Sequence, residues 1–227
     1  MKYSVFLFDA DNTLLDFNRS EREAFSEMLE DMGVKEQFWH FPRYLTINKE
    51  CWEQLEKGEI SPEEVKTIRF ERFFQLINKP ADPEKAGLKY LQALSTKAYW
   101  EAGALDLLKN LQKQNLRLAL VTNGLSSVQR PRFRHSGLDH FFSTIIISEE
   151  IGYAKPMRAF FDITFEALDQ PDKKEMLLIG DTPGSDILGG QQFGLDTCWY
   201  NPKKREFPFD PGPTYEIRHL DGLSKLI

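Results

Sequence analysis

Cysteine is scarce in this chain of 227 residues: Cys51 and Cys198 are far apart and show no metal-type spacing. That scarcity argues against a disulfide-stapled secreted scaffold and a cysteine zinc site, and it fits reduced thiols in a cytosol. Long hydrophobic runs are also missing. None approaches the roughly 18 apolar residues that a membrane span requires, and the amino terminus lacks the basic and apolar regions of a signal peptide. The expectation is a cytoplasmic protein with no membrane partner. Positive charge is in deficit, with 29 Lys and Arg against 35 Asp and Glu for a net charge of −6. This disfavours a nucleic acid polymer as partner, while a locally basic pocket for a small anion fits. What is present is apolar mass: 41% hydrophobic residues over this length supply one large core or two smaller ones.

Two regions differ in pattern. From about Leu105 onward, helix-like and strand-like segments alternate, the signature of a parallel sheet covered by helices. The spacing predicts strands over Leu116 to Val121, Ser143 to Ser148, Met176 to Ile179 and Thr197 to Tyr200, with helices between them and an earlier strand over Tyr3 to Phe8. These segments are short and continuously apolar, as buried parallel strands are. The tail from Asn201 to Pro213 reads as a surface loop, followed by a strand near Tyr215 and a short helix to Ile227. Between the first strand and about Trp100, no strong strand appears. Charged helical segments with scattered aromatics fill that stretch, and breaks at Gly33, Phe41-Pro42, Gly58 and Lys79-Pro80 divide it into about four helices. Its aromatics, among them Phe38, Trp39, Phe41, Tyr44, Trp52, Phe70, Phe73 and Phe74, are expected in a core. We therefore expect an α/β unit of residues 1–16 and 101–227, interrupted by a helical insertion of residues 17–100.

Polar groups gather where strands end. Asp9-Ala10-Asp11-Asn12-Thr13 follows the first strand directly, and in extended backbone residues i and i+2 share a face. Asp9 and Asp11 are thus expected to converge. Two such carboxylates need either a shared proton or a hard cation such as Mg²⁺, unless they are simply turn or N-cap acids. Thr122-Asn123 closes a second strand, Asp181 and Asp186 follow another, and Lys155-Pro156 lies in a loop between them. In an open α/β sheet, ligands bind outside the carboxyl ends of the strands, so these loops should meet over one crevice. The basic run from Arg130 to His135 reads as a solvated helix face. The four histidines, His40, His135, His140 and His219, are scattered, so phosphoryl transfer through histidine is unsupported.

The order Asp9-x-Asp11-x-Thr13, Thr122, Lys155-Pro156 and Gly180-Asp181-Thr182-Pro183-Gly184-Ser185-Asp186 resembles the haloacid dehalogenase superfamily of phosphatases. The resemblance runs from Lys2 to about Tyr200, and the helical insertion resembles that family's cap. It implies a Rossmann-like parallel-sheet core and a phosphomonoester hydrolase that uses Mg²⁺ on a small phosphorylated metabolite. By resemblance, Asp9 is the nucleophile, and Asp11 is the acid and base with its proton affinity raised by burial and by Asp9. The Asp9 and Asp181 side chains and the Asp11 backbone carbonyl hold the metal, and Asp186 supports it. Thr122, Asn123 and Lys155 bind the phosphate. Relatives that cleave carbon–halogen bonds do not use a second aspartate as acid, so Asp11 favours a phosphatase over a dehalogenase; a phosphatase or mutase of small sugar phosphates or phosphoglycolate and a non-catalytic phospho-ligand binding protein are the rival readings.

A narrower resemblance rests on Ile47-Asn48-Lys49-Glu50-Cys51-Trp52, Gly58-Glu59-Ile60-Ser61, Ile147 to Pro156 and Asp186-Ile187-Leu188-Gly189-Gly190. These segments look like the bacterial pyrimidine 5′-nucleotidases of the superfamily, which implies a nucleoside monophosphate such as dUMP, UMP or dTMP as substrate. On that likeness Trp52 or Tyr153 would pack near the base, and Asn48 or Lys49 would contact its polar groups. One departure is Ala102 before Gly103, where relatives often carry proline.

Overall fold

The computed structural model describes residues 2–114 and 116–226, with the side chain of Glu56 also left aside. It divides into two compact units, Met1–Phe17 with Ala98–Ile227, and Asn18–Lys97. The first unit is built on a six-stranded sheet in the order β3-β2-β1-β4-β5-β6. Its strands are β1 (Val5–Phe8), β2 (Arg117–Thr122), β3 (Thr144–Ile147), β4 (Met176–Gly180), β5 (Asp196–Tyr200) and β6 (Tyr215–Ile217), and every neighbouring pair is parallel. Two-residue periodicity explains the continuous apolar strands, because each sheet face takes alternate residues. Phe6, Phe8, Leu118, Leu120, Leu177 and Ile179 enter one core together with Leu107, Leu108 and Leu111. Val5, Leu7, Ala119, Val121, Met176 and Leu178 enter the other, with Phe160, Phe161 and Phe193.

Helices α5 (Ala104–Lys113), α6 (Ser126–Ser136), α7 (Ser148–Ile151), α8 (Arg158–Ala167) and α9 (Gly189–Phe193) connect these strands, with a π-helical turn at Pro183–Leu188 before α9. The strand near Tyr215 is present, and a 3₁₀ helix at Leu220–Lys225 follows it; Ile227, the expected end of that helix, lies outside the described residues. The sheet order places β1 between β2 and β4, so the topology reverses beside β1. Chain exit and re-entry are tied together. The Asp16 N–H donates to Tyr99 O at 2.8 Å, the Glu101 N–H donates to Leu14 O at 2.9 Å, and Leu15 bridges antiparallel to Trp100.

The second unit holds α2 (His40–Glu56), α3 (Pro62–Leu76), α4 (Pro83–Ser95) and all but the first residue of α1 (Phe17–Asp31). Ser61 and Glu64 form a reciprocal capping box at the start of α3, and Asp82 caps α4, each followed by proline in the first turn. Phe25, Tyr44, Phe70, Phe73 and Tyr90 are buried and stack on one another, with Phe25 and Tyr44 centroids 4.6 Å apart. Phe38 and Trp39 depart from the expected core placement, being 93% and 37% exposed. Among the described residues, no helix is long and apolar enough to cross a membrane.

Candidate active site

Register explains why the first strand delivers a carboxylate to its neighbours. Phe8 pairs with Leu120 on one side and Ile179 on the other, so Asp9 comes level with Val121 and Gly180. The Asp9 N–H donates to Ile179 O at 2.8 Å, which extends the ladder by one bond past the strand. Asp9 is 7% exposed. Its Oδ1 accepts from Lys155 Nζ at 2.8 Å, and its Oδ2 accepts a longer bond of 3.3 Å from the Thr13 hydroxyl. The same ammonium donates to Val121 O at 2.8 Å and to Asp186 Oδ1 at 2.7 Å. An ammonium has three protons, so this set satisfies it.

The Asn123 side chain is engaged by the backbone of Lys155. Its Nδ2 donates to Lys155 O at 2.7 Å, and its Oδ1 accepts from the Lys155 N–H at 2.8 Å. The side-chain amide thus pairs with the Lys155 backbone like a strand partner. It fixes the loop from which the lysine reaches inward.

Oxygens of Asp9, Asp181 and Asp186 lie within 4.8 Å of one another. Asp186, expected as a supporting residue, is therefore one of the three. It is held by the Thr182 N–H, which donates to its Oδ2 at 3.0 Å. Gly180 makes the room, since a Cβ there would stand 2.3 Å from that same oxygen. Asp181 is fixed through its backbone carbonyl, which accepts from Trp199 Nε1 at 2.9 Å and from Arg205 at 2.8 Å. Burial, reinforced by the Asp186 charge, pushes the Asp181 carboxyl up to about 7. Burial also drives Asp9 well above the usual carboxylate range, against the pull of Lys155 and with help from Asp186 and Asp181. Burial works against the charge of Lys155, but the Asp186 and Asp9 carboxylates outweigh it and raise its pKa.

Charge decides what this group fits. When all three carboxylates ionise, Lys155 and the Arg205 guanidinium, 3.5 Å from Asp181 Oδ2, still leave a net negative charge in a largely buried place. A hard divalent cation matches both that charge and an all-oxygen donor set.

Asp11 is not a member of that three-carboxylate group. The Asp11 carboxylate instead accepts from Arg132 Nη1 at 2.6 Å and from Gln129 Nε2 at 2.9 Å. Gln129 Nε2 also donates to the Thr122 hydroxyl at 3.0 Å, and Thr122 is 1% exposed. The expected solvated face of α6 is thus corrected: Arg132 is fully buried, beside Phe133. Gln129 and Arg132 were not among the residues the sequence singled out. A signal exists in it, because Leu125, Val128, Gln129, Arg132, Phe133 and Ser136 form one helical stripe on which the apolar members must face inward.

The four residues expected near a base have unlike surroundings. Asn48, 8% exposed, sits inside the helical unit, where its amide donates to Glu21 Oε1 and accepts from Arg69 Nη1, both at 2.9 Å. Lys49 is exposed and lies 3.7 Å from Glu53, and Trp52 is half-buried on the same helix. Tyr153 is exposed two residues before Lys155.

Comparison with known proteins agrees with this architecture. A sequence profile of haloacid dehalogenase-like hydrolases matches residues 3–194. The chain is 38% identical over 226 residues to the HAD-hydrolase YfnB of Bacillus subtilis (strain 168), covering 100% of this chain and 96% of the relative. It is 34% identical over 227 residues to the pyrimidine 5′-nucleotidase YjjG of Escherichia coli (strain K12), covering 100% and 99%. It is 35% identical over 223 residues to the pyrimidine 5′-nucleotidase PynA of Streptococcus pneumoniae (strain ATCC BAA-255 / R6), covering 98% and 94%. A crystal structure of YfnB bound to magnesium superposes with a TM-score of 0.92 at 39% identity, covering 100% of this chain and 99% of that one. A parallel sheet that reverses beside β1, a buried carboxylate cluster at that point and full-length similarity lead to one assignment: this chain belongs to the haloacid dehalogenase-like hydrolase family.

Proposed function

We propose that the protein is a Mg²⁺-dependent phosphomonoester hydrolase that works through an aspartyl-phosphate and takes pyrimidine nucleoside monophosphates such as UMP, dUMP and dTMP. The observation that carries the chemistry is the buried Asp9, held by Lys155 beside Asp181 and Asp186 at the topological reversal of the sheet. The substrate class rests on the full-length similarity to two proteins named pyrimidine 5′-nucleotidases.

In this reading, the side chains of Asp9 and Asp181 with the Asp11 backbone carbonyl hold Mg²⁺, and the Asp186 carboxylate supports it from within the same cluster. The cation supplies charge compensation for phosphoryl oxygens. An ionised Asp9 attacks phosphorus, the new bond to its carboxylate oxygen forms, and the ester P–O bond breaks. Asp11 gives its proton to the departing alkoxide. It then takes a proton from the water that attacks the phosphoryl group of the acyl-phosphate, releasing phosphate and restoring both aspartates. Thr122 donates its hydroxyl to a phosphoryl oxygen. Lys155 offsets charge at Asp9, and Asn123 serves by holding the Lys155 backbone. A role in substrate selection is proposed for Lys49, Trp52 and Tyr153. Asn48 acts there through its pairing with Glu21 and Arg69 rather than by an open amide.

A panel assay tests the reading: protein with Mg²⁺ is given pyrimidine and purine nucleoside monophosphates, sugar phosphates and phosphoglycolate, and released phosphate is measured. The expected outcome is highest kcat/KM on a pyrimidine nucleotide. Preference for a sugar phosphate or phosphoglycolate rejects the substrate class, and turnover without phosphate release indicates a mutase.

A further inference from the structure

Gln129 and Arg132 lie on α6, away from the carboxylate cluster, yet both bond directly to Asp11. The bonds form a closed set. Arg132 Nη1 donates to Asp11 Oδ1 and to Gln129 Oε1, each at 2.6 Å, while Gln129 Nε2 donates to Asp11 Oδ2 and to Thr122 Oγ1. A guanidinium has no acceptor and a carboxylate has no donor when ionised, so the Gln129 amide has one orientation that serves both neighbours. Gly124 is shaped for it, since a Cβ there would lie 2.8 Å from Gln129 Cγ. The guanidinium also lies over the Phe17 ring, 5.2 Å from its centre.

From this closed set, and building on the phosphatase reading above, we infer that Gln129 and Arg132 are positioning residues that hold the Asp11 carboxylate and aim the Thr122 hydroxyl. One amide then coordinates two halves of the reaction. Because Thr122 Oγ1 accepts from Gln129, its own proton is directed elsewhere, toward an anion at the strand end. Because Asp11 is gripped through both oxygens, its carboxyl is confined in rotation, and the second lone pair of one oxygen carries the proton given to the leaving group without an entropic search. Full burial of Arg132 and Gln129 keeps water from competing for these bonds.

Leaving-group dependence separates positioning from mere structural support. UMP expels an alkoxide that needs a proton, whereas p-nitrophenyl phosphate expels a phenolate that leaves without one. The value of kcat/KM reports steps up to formation of the aspartyl-phosphate, so it isolates the proton donation. Arg132→Met is expected to lower kcat/KM on UMP by about 10- to 100-fold while changing the aryl ester by less than about 3-fold, within the range of a misplaced general acid. Gln129→Ala should cost both esters through Thr122 and UMP by about 10-fold more. Arg132→Lys, which keeps a charged multiple donor, should restore most of the UMP rate. Adding Gln129→Ala to Asp11→Asn should not lower the UMP-to-aryl ratio further. An unchanged ratio in Gln129→Ala, with its melting temperature intact, overturns the inference even if Arg132→Met does not fold. If the unaltered protein turns over neither ester, the phosphatase reading falls and the inference with it; if it turns over both and the ratios stay equal, only the inference falls.

Discussion

Both units bury polar side chains, but they balance them differently. In the helical unit, Glu21, Asn48 and Arg69 form a line in which one negative and one positive group share a neutral amide, and Arg69 lies against the rings of Phe70 and Tyr90. In the α/β unit, three clustered carboxylates meet only two cations, Lys155 between Asp9 and Asp186 and Arg205 at 3.5 Å from Asp181. Burial of a charge costs several kcal/mol unless it is paired, so the first arrangement is self-sufficient and the second is not. A network that closes on itself organises a core, whereas one with excess charge is completed by something from outside. That difference separates structural from functional burial here, although both groups look alike as polar residues among apolar ones.

The comparison breaks if removing Asp9 leaves chemistry intact. Asp9→Asn keeps the size of the side chain and removes the nucleophile, so turnover of UMP should fall to the limit of detection while the protein stays folded. Retention of most of the rate would return Asp9 to a structural role. Asp11→Asn should lose about 10²- to 10⁴-fold in kcat/KM on UMP, the usual weight of a general acid and base. A loss below about 3-fold in steady-state assays would remove Asp11 from proton transfer. In the helical unit the effect should appear in stability instead. Arg69→Ala strands Glu21 and Asn48 and should cost about 3–5 kcal/mol in denaturant unfolding, as breaking a buried pair does. Folded Arg69→Ala protein should keep its rate on p-nitrophenyl phosphate; a rate loss without a stability loss would make that trio part of the site.

Much of this was legible before any coordinates. Strands over 117–122, 144–147, 176–180 and 196–200 follow from apolar runs whose two faces are both covered. The breaks at Gly33, Gly58 and Lys79-Pro80 marked helix ends in the insertion. Asp9, Thr122, Lys155 and Asp181 stood out because parallel strands converge at their carboxyl ends. Less legible was which polar group each one faces. The bonds from Gln129 and Arg132 to Asp11 were hidden, because only the tertiary fold brings α6 beside it. Arg132 looked solvated for a related reason, since a run of basic residues suggests an exposed face unless the helical phase set by Val128 and Phe133 is followed. Asn48 sat in a segment resembling a substrate loop, yet its pairing with Glu21 and Arg69 spans residues 27 and 21 positions away. Separations of that size leave no local trace.

The smallest expected effect tests the excess charge itself. With divalent cations chelated, Asp181 has a folded pKa near 7 against an ordinary value of 3.8. The folded state therefore holds a proton that the unfolded chain has already lost, and stability falls as pH rises from about 4 to about 7. Asp9, also shifted upward, acts in the same direction. A cation that binds the ionised cluster reverses this above the window, because binding to the folded state adds RT ln(1 + [L]/Kd), about 2.7 kcal/mol at a hundredfold excess over Kd. Melting curves with and without Mg²⁺ should thus diverge more at pH 8 than at pH 5. Asp181→Asn should flatten the metal-free pH dependence and shrink the Mg²⁺ shift together, since one carboxylate is responsible for part of both. An equal Mg²⁺ shift at the two pH values, or an Asp181→Asn protein that responds like the unaltered one, would place the cation elsewhere and make this cluster as self-contained as the one in the helices.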